Sequence, residues 1–253
     1  MKDSEEYRQK KAFFADLLTI FGRKPVAEAL DDEATEPFRL HLAESNKTNP
    51  AIEAMIQRAT QRGAEVCYHS RDALSRISKN RRQDQGVVLD IKAPNYQAAT
   101  VLEPATHPNI IALENVTNPQ NIGMAIRSVG ASPSSGILLA RQGNAPLDGL
   151  AIKSSAGALF KSPVFHCERL EDTVDALVAK GYRIFGLTGA ATMTLAEVDT
   201  TTPSVFILGN ETTGLSQQML NRCHEQVKIP MNNGVESLNV SVAAALVAFR
   251  DAL

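Results

Sequence analysis

Cysteine is scarce in this chain of 253 residues. Cys67, Cys167 and Cys223 are odd in number and far apart, so they build neither a disulfide framework nor a CxxC metal pair. They are read as ordinary reduced thiols. Cys223 precedes His224, but neighbours in sequence rarely aim at one ion, and the five histidines show no HxxxH or HxE spacing. No metal is expected. A GxxxxGKS/T stretch is absent, which disfavours a P-loop nucleotidase, and no GxGxxG follows a strand pattern, which disfavours a Rossmann dinucleotide site. Long apolar runs are missing too: Val240 to Phe249 is too short and too interrupted by Ser and Ala to cross a bilayer. The N-terminal Met1-Lys2-Asp3-Ser4-Glu5-Glu6 is charged where a signal peptide would be apolar. A soluble cytoplasmic protein without membrane contact is expected.

Excess positive charge is lacking as well. The formal net charge is −2, unusual where a nucleic-acid backbone must be bound. Local charge matters more than the sum. Arg71, Arg76, Lys79, Arg81 and Arg82 fall close together with only Asp72 and Asp84 against them, a stretch able to meet phosphates; a solvated helix face is the plain alternative.

The hydrophobic content, 43%, is enough for one core or two. Glu5 to Leu18 reads as a helix, with Tyr7, Ala12, Phe14, Leu17 and Leu18 on its apolar face. After Phe21-Gly22-Arg23 a second helix runs through Glu28-Ala29-Leu30, with Pro25 near its first turn. Ala51 to Arg62 is a helix closed by Gly63, and Ala64 to Tyr68 and Gly86 to Ile91 read as strands. These residues, 1–96, suggest a small α/β domain, followed by a linker over 97–106 where prolines interrupt the periodicity. From 107 to 253 strands and helices alternate: strands at 109–113, 136–139, 182–187, 204–208 and 226–229, helices at 121–130, 170–180 and 239–252. Such alternation implies a mostly parallel sheet with helices on both faces.

Three stretches in this second half put unpaired polar side chains where a strand hands over to a helix, the place where α/β proteins build sites. In Asn118-Pro119-Gln120-Asn121-Ile122-Gly123-Met124-Ala125-Ile126-Arg127, Asn118-Pro119 sets a turn and Gly123 permits close backbone approach. Asn121 and Arg127 are six apart, so they share no helical face, yet both reach toward the start of the helix. In Leu208-Gly209-Asn210-Glu211-Thr212-Thr213-Gly214-Leu215-Ser216 two glycines flank a carboxylate, which suits a loop wrapped around a ligand. Ile229-Pro230-Met231 ends a strand, and Ser237-Leu238-Asn239-Val240-Ser241 starts a helix with natural caps. Helix entry, a plain turn and capping explain each stretch singly, but not the three together.

In order and spacing the three resemble the signature motifs of the SpoU-type RNA 2'-O-ribose methyltransferases, a branch of the SPOUT superfamily. The resemblance spans residues 105–253 and includes Lys153-Ser154-Ser155-Ala156-Gly157-Ala158. Phe21 to Ile91 resembles the family's substrate-binding domain, similar in fold to ribosomal protein L30e, through Phe21-Gly22-Arg23, Glu28-Ala29-Leu30 and Gln85-Gly86-Val87. Asp84 stands where His is common in that domain, and Asn118 where many members have Asp. The implied fold is α/β: a SPOUT-type, trefoil-knotted, mostly parallel sheet flanked by helices, preceded by a small L30e-like α/β domain.

The resemblance further implies S-adenosylmethionine as methyl donor, held around Thr188, Gly189, Leu208, Gly209, Asn210, Ile229, Met231, Ser237 and Leu238. It implies a catalytic or substrate-positioning set of Asn121, Arg127, Glu211, Ser237 and Asn239, and a homodimer through the C-terminal domain. Arg23, Arg71, Arg76, Lys79, Arg81, Arg82 and Arg127 are the candidate RNA-binding residues. The implied substrate is structured RNA, with large-subunit ribosomal RNA favoured and tRNA the nearest alternative. An inactive L30e-type RNA-binding dimer is the alternative of another class. The family proposal makes the arginine at Arg127 a general base, but a guanidinium stays protonated, with a pKa above about 12. Arg127 is therefore expected to bind the neighbouring phosphate and stabilise the developing alkoxide, held in place by Asn121.

Overall fold

The computed structural model describes residues 17–33, 35–46, 49–78, 81–82, 84–92, 96–199 and 201–252. The chain divides into two compact units between residues 94 and 95.

The first unit is one four-stranded sheet in the order β1-β4-β2-β3, built from β1 (Leu17–Phe21), β2 (Glu36–Ala43), β3 (Glu65–His69) and β4 (Val87–Lys92). β4 runs antiparallel to β1 and β2, and β3 joins β2 in parallel. β2 is one of the strands that the sequence reading leaves out, with Tyr96–Ala98, Val164–Cys167 and Met193–Thr194 of the second unit, although Arg39-Leu40-His41-Leu42 alternates as a half-buried strand should. Leu40 and Leu42 are fully buried, while Ala43 packs with Phe21, Val88 and Leu74 of the helix Arg71–Ser78 on the other face. The helices Arg23–Asp31 and Pro50–Gln61 bury Val26, Ala29, Ile52 and Met55. Asn49 caps the latter by accepting the Ala51 N–H at 3.0 Å, with Pro50 in the first turn. Gly63 takes a positive φ of 78° just beyond its end, as expected for a terminating glycine. Leu17 and Leu18, read above as the end of a helix, lie in β1, where pairing with Lys92 and Ile91 overrides local spacing; the rest of that expected helix falls outside the described residues.

The second unit carries an eight-stranded sheet, order β10-β12-β9-β11-β6-β7-β8-β5, in which every pair is parallel. Its strands are β5 (Tyr96–Ala98), β6 (Asn109–Leu113), β7 (Gly136–Ala140), β8 (Val164–Cys167), β9 (Arg183–Leu187), β10 (Met193–Thr194), β11 (Ser204–Leu208) and β12 (Glu225–Lys228). Part of the stretch read as a linker, 97–106, belongs to this unit: β5 pairs with β8, and Ala99 and Leu102 enter its core. On one face Ile110, Ala112, Val205 and Ile207 pack with Leu170, Val174 and Leu177 of the helix Leu170–Ala179. The opposite face takes the helices Pro119–Gly130 and Val240–Ala248, which also pack on each other. Among the described residues no helix is long and apolar enough to cross a membrane.

β12, β9, β11 and β6 are neighbours, so the loops leaving their carboxyl ends gather at one rim, where open parallel sheets bind ligands. The helix Pro119–Gly130 is seated there by close contact. A Cβ at Gly123 would stand 2.1 Å from the Ala151 carbonyl oxygen and 2.8 Å from Ser154 Cβ. Gly123→Ala is therefore expected to lose about 1–3 kcal/mol through overpacking, read as a lowered denaturation midpoint against wild type; an unchanged midpoint would show that the helix Gly149–Ser154, which carries Ala151 and Ser154, yields freely.

Candidate active site

Three strand ends and the entry of one helix wall a cavity of about 410 Å³. Thr188 and Gly189 follow β9, Leu208 to Gly214 follow β11, Ile229 and Met231 follow β12, and Glu236 to Val240 lead into the last helix. All nine side chains or glycines expected to hold a cofactor, Thr188, Gly189, Leu208, Gly209, Asn210, Ile229, Met231, Ser237 and Leu238, line this one space. The volume lies inside the range of about 300–1,000 Å³ typical of small-molecule sites. Leu187, Leu208, Ile229, Leu238 and Ala243 supply apolar wall, and Thr188, Glu211 and Ser237 polar groups.

The loop after β11 is held in a tight return. Asn210 and Gly214 exchange backbone hydrogen bonds at 3.2 and 2.9 Å, and Asn210 Oδ1 accepts the N–H groups of Thr212 and Thr213. A Cβ at Gly209 would lie 2.3 Å from the Gly214 carbonyl carbon, which explains a glycine there. Asn210 Nδ2 donates to the Asn115 carbonyl at 2.9 Å, tying this loop to the end of β6. Asn210 thus shapes the wall by spending its amide inside the protein.

Two residues that motif reading missed complete the clamp. Glu114, 5% exposed, accepts the Ser216 N–H at 2.9 Å and its hydroxyl at 2.6 Å. Asn144 donates to the Leu113 carbonyl and accepts the Val116 N–H, both at 2.8 Å. A carboxylate directly after a buried strand was the visible signal for Glu114; nothing in the sequence near Asn144 marks its partners.

Of the catalytic set, Asn121, Glu211 and Asn239 converge. Asn239 caps the helix Val240–Ala248, accepting the Ser241 N–H at 2.8 Å and its hydroxyl at 2.6 Å. Its Nδ2 donates to Asn121 Oδ1 at 3.0 Å, and Asn121 Nδ2 donates in turn to Glu211 Oε1. Asn121 is 6% exposed, so its amide has few other places to go. Ser237 lies on the cavity wall. Arg127 does not join them. It sits in the last turn of its helix, exposed, its side chain without a hydrogen bond or ion pair among the described residues. Six residues on a helix advance about 9 Å and about 600°, which carries its side chain away from Asn121. The expectation that Asn121 holds Arg127 is corrected: Asn121 is committed to Glu211 and Asn239.

In the first unit the basic stretch is partly consumed. Arg71 pairs at 3.1 Å with Asp84, whose side chain is fully buried and also accepts from Ser78 and Gly86. Arg81 pairs with exposed Asp72 at 3.3 Å. Arg23 donates to Asn46 at 3.4 Å. Arg76 and Arg82 are exposed with no ion pair among the described residues, and Lys79 lies outside them. Cys223 and His224 make no joint site: His224 Nδ1 accepts the Ile184 N–H at 3.0 Å, and Cys223 donates to the Met219 carbonyl. Burial, then the Glu114 carboxylate, push the Cys223 thiol up to about 11, leaving a neutral core group.

Comparison with known proteins gives the same outline from another direction. Residues 108–249 match the family model of the SpoU rRNA methylases, and residues 19–97 the RNA 2'-O ribose methyltransferase substrate-binding domain. An uncharacterized tRNA/rRNA methyltransferase of Mycobacterium avium (strain 104) is 32% identical over 236 residues, covering 90% of this chain and 75% of its own. A counterpart in Mycobacterium leprae (strain TN) shows the same figures, 32%, 90% and 75%. Among solved structures, the AdoMet-bound rRNA methyltransferase of Sinorhizobium meliloti aligns with a TM-score of 0.72 at 23% identity, over 98% of this chain and 89% of that one. A SpoU methyltransferase of Streptomyces viridochromogenes in complex with AdoMet gives 0.70 at 23%, over 98% and 92%. At such identities the solved structures establish a shared SPOUT-type fold.

The amide chain makes a specific prediction. Asn121→Ala leaves the Asn239 amide without an acceptor, about 1–3 kcal/mol. Asn121→Asp instead faces Glu211 with a second carboxylate, so at neutral pH and low salt the Asp variant should unfold below the Ala variant, and added salt should narrow the gap as it screens the like charges. Equal denaturation midpoints for the two variants at low salt would refute the contact.

Proposed function

The chain belongs to the SpoU rRNA methylase family, and from that premise we propose that it transfers a methyl group to a ribose 2'-OH of structured RNA, with large-subunit ribosomal RNA as the favoured substrate. At the coarser level it is an S-adenosylmethionine-dependent RNA methyltransferase. The observation that carries the finer reading is the joining of three loops, distant in sequence, around one cavity with the Asn239–Asn121–Glu211 chain at its edge. The match of the first unit to a 2'-O ribose substrate-binding domain supports the ribose as acceptor.

The cavity fits the donor. Its walls combine apolar side chains with a backbone return at Gly209 so tight that no side chain could stand there, the make-up expected around a nucleoside with a charged tail. Thr188, Gly189, Leu208, Gly209, Asn210, Ile229, Met231, Ser237 and Leu238 would hold it. When bound, S-adenosylmethionine supplies a methyl group already activated by its sulfonium. The protein's task is then alignment of the ribose oxygen and acceptance of its proton, and positioning alone is worth several kcal/mol. Glu211, fixed by Asn121, orders the loop on the acceptor side. Arg127, uncommitted and always charged, meets the phosphate next to the reacting ribose and stabilises the oxygen as negative charge develops. Its proton leaves to phosphate or water. An inactive RNA-binding dimer would have no use for the cavity, and calorimetry with S-adenosylmethionine separates it: no heat with the full chain would favour that reading.

Methyl transfer from labelled S-adenosylmethionine to ribosomal RNA and tRNA transcripts tests the proposal, with alkali-resistant dinucleotides reporting the 2'-O position. Wild type should label ribosomal RNA. Arg127→Ala should lower kcat by about 10²–10³ with donor affinity unchanged, and Arg127→Lys should recover part of it, since charge is kept and the planar fork lost. Label on a base, or full activity of Arg127→Ala, would overturn the assignment.

A further inference from the structure

The first unit contains a cluster that methyl transfer does not use. On the sheet face that carries Arg39, His41 and Ala43, cross-strand register sets Cys67 beside His41 and His69 beside Ala43. One ligand atom from each of His41, Cys67 and His69 lies within 4.8 Å of the other two. His41 Nδ1 faces His69 Nε2 at 2.9 Å. The other nitrogen, His41 Nε2, meets Asp90 Oδ2 at 3.1 Å, and Asp90 Oδ1 accepts from Thr19 at 2.7 Å.

With Thr19 donating to its Oδ1, the Asp90 carboxylate presents Oδ2 as the acceptor for the Nε2–H of His41. That choice fixes the tautomer: Nδ1 carries the lone pair, aimed at His69 and toward the thiol. A carboxylate bonded to the far nitrogen of a histidine is the arrangement that orients imidazoles on zinc. We propose that His41, Cys67 and His69 bind one zinc ion, with Asp90 and Thr19 as the outer support of His41. A tetrahedral ion with Zn–N bonds of about 2.0–2.1 Å needs its two nitrogens ~3.3 Å apart. The rings then open by a few tenths of an ångström from their present contact, the proton on His69 Nε2 passes through solvent to its Nδ1 so that both rings ligate as neutral imidazoles, and the thiol proton, donated to Glu65 at 3.3 Å, leaves to solvent. Glu65 or a water takes the fourth position. The ion would fasten edge strand β3 to β2 beside the helix Arg71–Ser78, which begins two residues after His69 and bears exposed Arg76.

The full-length chain, treated with chelator and kept reduced, is titrated with cobalt(II) and then zinc. One equivalent of cobalt should give the visible absorption of a four-coordinate ion and a thiolate-to-metal charge-transfer band, both bleached by zinc. Cys67→Ser should lose the charge-transfer band while circular dichroism stays native, and Cys223→Ser should keep it. Asp90→Asn should weaken zinc binding by about 10–100-fold. Absence of the band in wild type, its survival in Cys67→Ser, or zinc binding unaffected by Asp90→Asn in a folded protein would overturn the site. Donor binding in the second unit is measured on the same samples and does not depend on the result.

Discussion

The arrangement of the site depends on a single run of hydrogen bonds, from Ser241 to Asn239, on to Asn121 and then Glu211. It ties the starts of two helices to the loop after β11. Each link is directional. Asn239 Oδ1 is occupied by Ser241, so only its Nδ2 is left for Asn121; that fixes Asn121 with its oxygen toward Asn239 and its amino group toward the carboxylate. A leucine or a serine at position 121 breaks the run, because neither offers one acceptor and one donor at amide spacing. With Asn121 6% exposed, solvent does little to replace a lost partner, and the cost of leaving one unmade exceeds the modest net gain of making it.

The parallel sheet makes that run possible. Strands β12, β9, β11 and β6 are adjacent although far apart in sequence, so their carboxyl ends deliver three polar loops to one rim without long excursions. Glu114 and Asn144 then hold the turn after β6, and Asn210 locks the loop after β11 to that turn. The cavity wall is thus mostly fixed by bonds within the protein. Little conformational entropy remains to be lost when a ligand enters, which is how a small apolar pocket gains affinity. Ser237, on an exposed loop position, is left to respond to the ligand.

Much of this was readable in the sequence, unevenly. Strands β6, β9 and β11 and the helices at 119–130 and 170–179 announce themselves through apolar runs and periodicity, because each is buried on one face or both. The second and third motifs line the cavity and the first meets its edge through Asn121, since polar residues at strand ends are cheap only where a ligand or another loop meets them. β2 was overlooked because His41 and Arg39 interrupt its apolar residues, and those polar positions became intelligible only once β4 supplied Asp90 and β3 supplied Cys67 and His69. Linear spacing cannot show such a cluster: its members are neighbours by sheet register. The same limit hid the fate of the basic stretch, where a buried Asp84 claims Arg71.

That last point bears on how an acidic protein, formal charge −2, meets a polyanion. Backbone binding counts the cations that can still release counterions, and a cation engaged with a buried carboxylate is no longer one of them. Arg71 helps to solvate Asp84 and fix the turn at Gln85-Gly86; Arg81 is balanced by Asp72. What remains without a carboxylate partner among the described candidates is Arg23, Arg76 and Arg82 in the first unit and Arg127 in the second. Four charges give weak, salt-sensitive attraction, below the six to ten phosphate contacts of strong nonspecific binders. Recognition must then come from the shape of the RNA and from hydrogen bonds made where it bends or opens, as single-stranded loops and bulges permit. An RNA that presents its target nucleotide in such a loop or bulge suits this surface better than a uniform duplex.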